Sequence, residues 1–333
     1  MKLDVAILGA SGYGGGELLR WLSGHPATAS LRGTSRHAGR AFGEVHPNLR
    51  GVVEGRLEES IPWGDFARSE APVVFSALPH GELAALLPTL EAQWEAAGIA
   101  DRVVLLDLST DFRGAEHRDR FAYGLPEWNR EALRGAKRIA CAGCFATALQ
   151  LALVPLRGLD VGWMAATGAT GSSGSGASPS EGTHHPLRAQ DFRAYKPLVH
   201  QHMAEVKLGM AALGIQGELA FIPQSAPMVR GIFAALQFRL PVGLTGGDLQ
   251  ARARAAFEAE PFVRLVPDSP RVGAVAGSAF CDLSVTAHGE SGAVMAAIDN
   301  LGKGMASQAV QCMNLALGIK ETTGLLIPGT WPG

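Results

Sequence analysis

Two cysteines stand three positions apart in "RIACAGCFATALQLALVPL" (138–156), and the second, Cys144, lies between Gly143 and Phe145. Three kinds of chemistry would use such a residue. A structural metal site needs about four ligands, yet Cys281 and Cys312 are isolated, so no metal site is expected. As a packing residue, Cys144 would be a small apolar group at the head of a buried helix. As a nucleophile it would gain from the helix that Ala146, Ala148, Leu149, Leu151 and Leu153 favour. Free N–H groups and the dipole at a helix N-terminus stabilise a thiolate.

A nucleophile needs an acid/base and a means of holding its substrate. The segment "HHPLRAQDFRAYKPLVHQHMAEV" (184–206) carries four of the ten histidines, together with Arg188, Arg193 and Lys196, against only Asp191 and Glu205. His200 and His202 alternate around Gln201, which on a strand would aim both imidazoles at one face. Either could serve as acid or base, with Glu205 to orient it. His184, Arg188, Lys196 and His200 are candidates for gripping an anionic substrate. Arg113, in "DLSTDFRG", is a candidate carboxylate clamp just past an expected sheet strand.

These residues need elements to position them. "LDVAILGASGYGGGELLRWLSGHP" begins as a short apolar strand, turns on glycines and continues with Leu18, Leu19 and Leu22 at helical spacing up to Pro26. Strand-length apolar runs at Val73–Phe75 and Val103–Leu106 alternate with helical stretches, which implies a doubly wound parallel α/β sheet. After about residue 150 the pattern changes to longer strands joined by turns, with one helix near "GGDLQARARAAFEAE". That pattern suggests an α+β domain on a mainly antiparallel sheet. The expected division is residues 1–147 plus about 300–333 for a dinucleotide-binding domain, and 148–299 for a catalytic, substrate and oligomerisation domain.

The first turn, "GASGYGG", places Gly9, Gly12 and Gly14 between strand and helix, where bare backbone can approach a pyrophosphate at a helix N-terminus. An NAD site usually puts an acid at the end of the second strand. Here "TSRHAGR" offers Ser35, Arg36 and Arg40 instead, which suits the 2′-phosphate of NADP(H). The composition, 47% apolar and 18% charged with a net charge of −2, is globular and gives no reason to expect nucleic acid. No apolar run approaches the ~18 residues of a membrane span. The start of the chain does not read as a secretory signal, and four cysteines are too few for a disulfide framework, so a reduced cytoplasmic setting is expected.

Taken together and in order, "GASGYGGGELLR", "ALPHG", "DLSTDFR", "YGLPE", "GCFATA", "HQHMAEV", "VRGI" and "DNLGKGMASQAVQ" resemble the N-acetyl-γ-glutamyl-phosphate reductase family, including its lysine-biosynthesis branch acting on carrier-linked α-aminoadipyl phosphate. The resemblance spans essentially the whole chain. It implies a Rossmann-type NADP-binding domain and an α+β catalytic and dimerisation domain of semialdehyde-dehydrogenase type. The implied reaction is NADPH-dependent reductive dephosphorylation of an acyl phosphate to a semialdehyde, through a thioester on Cys144, with His202 and Glu205 as acid/base and its orienting group. It further implies cofactor contacts from Gly9, Ala10, Ser11, Gly12, Tyr13 and Gly14, from Thr34, Ser35 and Arg36, and from Ser173, Gly174 and Asn300. A homodimer or homotetramer follows, and in the lysine branch a small acidic carrier protein presents the substrate. Two departures stand out: Phe145 where the family has Tyr or Asn, and Gln201 where it has Arg. A phosphorylating aspartate-semialdehyde-type dehydrogenase and a non-catalytic NADP-binding regulator are the competing readings.

Overall fold

The computed structural model describes residues 1–331, which divide into two compact units: residues 1–142 with 305–326, and residues 143–304 with the tail from 327. The first division thus falls five residues ahead of the boundary expected from sequence, and puts all of the Cys144 helix in the second unit.

The first unit opens with β1 (Leu3–Leu8), α1 (Tyr13–Ser23), β2 (Thr28–Thr34), α2 (Phe42–Val45), β3 (Leu57–Glu58), β4 (Ala71–Ser76) and α3 (Glu82–Ala96). It continues through β5 (Val104–Asp107), β6 (Ala122–Gly124), α4 (Pro126–Leu133) and β7 (Arg138–Cys141). The strands form one seven-stranded sheet in the order β3-β2-β1-β4-β5-β7-β6, every pair parallel. A parallel sheet is covered on both faces, and β4 and β5 are accordingly buried at every position. Below one face lies a core built on Trp63, Phe66, Trp94, Phe112 and Phe121. Each such side chain contributes ~1.5–3 kcal/mol by leaving water.

The second unit comprises α5 (Cys144–Leu153), β8 (Asp160–Thr170), α6 (His185–Arg188), β9 (Arg193–Ala194), α7 (His202–Ala212), β10 (Gln216–Ser225), β11 (Ile232–Arg239), α8 (Gly246–Phe257), β12 (Val263–Leu265), α9 (Val272–Val275), β13 (Cys281–His288) and β14 (Ser291–Ile298). Its strands order as β12-β13-β14-β11-β8-β10-β9. Four of the neighbouring pairs are antiparallel, whereas β8/β10 and β12/β13 run parallel. The sheet is therefore mixed, mainly antiparallel. The β8/β10 pair needs a crossover, and the connection through α6, β9 and α7 supplies it. Helices α5, α7 and α8 pack on this sheet. Inward-facing Met164, Ala166 and Gly168 on β8 alternate with the more open Trp163, Ala165 and Thr167. The chain then returns to the first unit as α10 (Ser307–Ala316). Among the described residues no helix is long and apolar enough to cross a membrane.

Candidate active site

Cys144 is the first residue of α5, with Gly143 as its N-cap. Of the four cysteines only Cys144 is partly exposed; Cys141, Cys281 and Cys312 are buried. Burial pushes the Cys141 thiol well above its ordinary value, with the Asp107 charge adding to the effect, so it stays protonated. The two cysteines therefore do not act as a pair. Gly304 packs directly against the nucleophile position: a Cβ there would lie 2.8 Å from the Cys144 Cβ.

His200 and His202 do come together, but not on a strand. His202 opens α7, and the His200 Nδ1 accepts the His202 backbone N–H at 3.3 Å. His200 thus takes up one of the N–H groups that the start of α7 leaves over, with Gln201 as the N-cap residue between them. Its ring lies 4.8 Å from that of His202 at 70°. Burial, reinforced by the Lys196 charge and opposed by Glu205, lowers the His200 pKa to about 4. His200 is therefore a neutral imidazole that accepts at Nδ1. Glu205, one turn along α7, is buried; its Oε1 lies 4.0 Å from His202 Nε2, and its Oε2 accepts the Gly143 N–H at 3.0 Å. One carboxylate thus links the histidine helix to the turn that carries Cys144.

Sequence reasoning overlooked Tyr195. Burial raises its pKa, and a Cys144 thiolate would raise it further, which puts the phenol within electrostatic reach of the sulfur. Its ring lies 5.7 Å from that of His200. Nothing in "FRAYK" announces this, because a long connection separates Tyr195 from Cys144 in sequence. Arg188 is half-buried and reaches the Thr170 carbonyl at 3.5 Å, while His184 and Lys196 are exposed. Phe145 points into the core, 1% exposed.

Asn300 and Ser173 also meet: the Asn300 Nδ2 donates to Ser173 Oγ at 3.0 Å, and its Oδ1 accepts the Gly231 N–H at 2.6 Å. Gly174 lies on the same turn, a Cβ there falling 3.8 Å from the Asn300 amide nitrogen. The neighbouring Asp299 takes a two-pronged pair from Arg230 at 2.9 and 3.1 Å.

In the first unit, the glycine turn is drawn tight. A Cβ on Gly9 would fall 2.7 Å from the Ala77 carbonyl oxygen, and one on Gly15 would fall 2.5 Å from the Ala10 Cα. A Cβ on Gly12 would meet only the Gly9 carbonyl oxygen, at 3.8 Å, and α1 begins there without a side-chain cap. Ala10 and Gly9 bond back to Thr34, and Ser35 Oγ donates to Ser11 Oγ at 2.7 Å. Tyr13 and Arg36 are exposed, and Gly14 follows within the first turn of α1. Uncapped N–H groups beside a bare backbone fit a pyrophosphate. His46, also missed from sequence, supports the turn from beneath, its Nε2 2.8 Å from the Ala10 carbonyl. Arg113 is buried in this unit, donating to the Leu108 carbonyl at 2.8 Å. Among the described residues no group of three or more His, Cys, Asp or Glu is arranged to hold a metal ion.

Residues 4–136 match the NAD binding domain of semialdehyde dehydrogenases, and residues 144–300 match the semialdehyde dehydrogenase dimerisation domain. The chain belongs to the semialdehyde dehydrogenase family. It is 38% identical to the [LysW]-L-2-aminoadipate 6-phosphate reductase of Deinococcus radiodurans, over 99% of both chains. It is 40% identical to the N-acetyl-gamma-glutamyl-phosphate reductase of Methanopyrus kandleri, over 98% of this chain and 99% of that one. These relatives put it in the N-acetyl-γ-glutamyl-phosphate reductase group of the family. Among solved structures, aspartate semialdehyde dehydrogenase II from Vibrio cholerae in complex with ASA superposes with a TM-score of 0.73 at 18% identity, covering 96% of this chain and 99% of that one, a likeness of fold. Membership makes the chain an NAD(P)-dependent oxidoreductase of amino-acid biosynthesis, acting on an acyl phosphate.

Proposed function

We propose that this semialdehyde dehydrogenase reduces the side-chain acyl phosphate of an N-acylated acidic amino acid to its semialdehyde, with NADPH as donor and Cys144 as nucleophile. The observation that carries the reading is the accessible Cys144 at the head of α5, tied through Glu205 to His202.

The Cys144 thiolate attacks the acyl carbon; the carbon–sulfur bond forms, the carbon–oxygen bond to phosphate breaks, and phosphate leaves with the electron pair. Negative charge on the sulfur before attack lies at a helix N-terminus, where the dipole favours it. NADPH, when bound, supplies the hydride that reduces the resulting thioester. His202 donates a proton to the developing thiohemiacetal oxygen, then takes it back as the carbon–sulfur bond breaks and frees aldehyde and thiolate. Glu205 orients His202 and stabilises its charged form. His200, neutral and engaged at Nδ1, holds the start of α7 and lines the substrate position. Gly9 to Gly14, with Thr34, Ser35 and Arg36, would hold the dinucleotide, the last two its 2′-phosphate. Ser173, Gly174 and Asn300 would line its nicotinamide end, and Arg113 would clamp a substrate carboxylate.

The amino group of the substrate is carried by a small acidic protein in this reading. Its support is an exposed segment that mixes charge and apolar surface: His184, His185, Arg193 and Lys196 with Leu187, Phe192, Leu198 and Val199. An acidic partner would meet complementary potential there. The Methanopyrus relative supports a second reading, a free N-acetylated glutamyl phosphate. The open face of the second sheet, with Trp163 and Ile222 exposed, supports self-association through that surface.

The deciding assay is phosphate-dependent NADP⁺ reduction with each semialdehyde, carrier-linked and N-acetylated, side by side. Cys144→Ala should abolish turnover with both. Retention of a tenth of the activity would overturn covalent catalysis at this residue.

A further inference from the structure

Phe145 immediately follows Cys144, and its ring is buried. It is 1% exposed, and its centroid lies 5.4 Å from His200 at 81°, 6.4 Å from His202 at 61° and 5.2 Å from Phe221 at 68°. On the sheet side it fills the space left by Gly168, where a Cβ would stand 2.5 Å from the Phe145 ring. His200 is in turn bordered by Phe221 at 5.8 Å and Tyr195 at 5.7 Å. Edge-to-face packing of this kind fixes ring orientation.

We propose that Phe145 is a positioning residue: its ring is the dry floor on which His200 and His202 are held, and it ties their orientation to the backbone that carries Cys144. The proposal rests on the roles given to Cys144 and His202 above. The neighbouring α5 residues fix the ring, because Phe145 sits in the first turn of a helix whose remaining side chains are buried. Rotation or loss of the ring would therefore move both imidazoles without touching the sulfur itself. The depressed proton affinity of His200 accords with this floor, since burial is its leading cause. The charged and titratable groups facing that imidazole are Lys196 and Tyr195 from the segment before it and Glu205 and His202 from α7. Phe145 and Phe221, from α5 and β10, contribute no charge.

A tyrosine at this place keeps the ring, whereas a leucine does not replace it. The test uses the full chain with Phe145→Leu, Phe145→Met and Phe145→Tyr. The readouts are the titration of the His200 and His202 Cε1–H signals by NMR with labelled histidine, and the pH profile of phosphate-dependent NADP⁺ reduction. In Phe145→Leu, water reaches His200, and its titration midpoint rises by about one pH unit or more. Turnover falls about 10-fold or more, with KM for NADP⁺ unchanged. Phe145→Tyr retains both wild-type titrations. Phe145→Met, which fills more of the space but lacks the ring, shifts in the same direction and carries the test if the leucine variant does not fold. Unchanged histidine titrations and an unchanged pH profile in the leucine or methionine variant would overturn the proposal, even with a lower melting temperature. The NMR titration requires no turnover, so it judges Phe145 separately from the Cys144→Ala result.

Discussion

Gly304 and Cys144 touch backbone to side chain: a Cβ on Gly304 would fall 2.8 Å from the Cys144 Cβ and 3.3 Å from its Cα. No flexible side-chain end lies on either side, so one of the two backbones must shift to admit a methyl group. Gly304→Ala should therefore act on the nucleophile without altering its chemistry. We expect kcat to fall at least about 10-fold through misplacement of the thiol. Alkylation of Cys144 by iodoacetamide should slow in parallel. Wild-type alkylation and turnover in this variant would mean that the contact relaxes elsewhere.

Glu205 performs two separable tasks, one with each oxygen. Glu205→Gln preserves an acceptor for the Gly143 N–H and removes only the charge beside His202. Turnover should fall by about 10- to 100-fold, in the range of an acid/base that has lost its orienting group. The alkaline limb of the pH–rate profile should move to lower pH, because the carboxylate no longer favours the protonated imidazole that donates the proton. Glu205→Ala also leaves the Gly143 N–H without this acceptor, at a cost of about 1–3 kcal/mol in stability. If the glutamine and alanine variants have the same pH profile as the wild type, Glu205 is a structural acceptor alone.

The parts of the site that were legible in the sequence are those written in local spacing. Gly143 before Cys144, and a run of helix-forming residues after it, foretell a cysteine at a helix start. His202 and Glu205 are three apart and so share a face once a helix is assumed. What misled was the H-Q-H alternation, which reads as a strand, whereas Gln201 is the N-cap, His202 the first helical residue, and His200 precedes them and accepts the His202 N–H. Helix α7 has apolar residues all around it, so no periodic stripe announced it, and the parallel pairing of β8 with β10 that depends on it was also hidden. Tyr195 against His200, and His46 beneath Ala10, arise from tertiary packing that local spacing does not encode. Phe145 stands out in the sequence as a departure from the family; in the fold it is buried with His200, His202 and Phe221 as ring neighbours.

Cofactor choice should depend on the end of β2. Ser35 bonds to Ser11 of the glycine turn, Arg36 is exposed immediately after, and the nearby Glu58 is held by Arg32 at 3.0 Å. No carboxylate follows β2 to take the ribose hydroxyls. We expect NADPH to be preferred over NADH, and Arg36→Ala to raise KM for NADPH about 10-fold or more while leaving that for NADH unchanged, since a guanidinium–phosphate contact is charge-assisted. Equal use of both cofactors by the wild type would refute the 2′-phosphate assignment.

Asp107, at the end of β5, is fully buried, and burial raises its pKa to about 6 from 3.8, against the Ser109 hydrogen bonds and the Arg113 charge that oppose the shift. Between those two values the folded chain holds a proton that the unfolded chain has released, so this group favours folding most at the acid end. Its contribution is present in full below pH 3.8 and is lost as pH rises through about 6. The loss is on the order of 3 kcal/mol at most. His25 and His200 act in the opposite sense: burial lowers both, so each removes stability as pH falls below 6.5. The net curve mixes the two effects, and a single variant separates them. Asp107→Asn cannot ionise, and Ser109 can still donate to its amide oxygen. Measured by urea unfolding, the stability of Asp107→Asn relative to wild type should rise steadily from about pH 4 to pH 6 and then level off. A difference that stays constant across that window would mean that Asp107 ionises at the ordinary carboxylate value inside the fold.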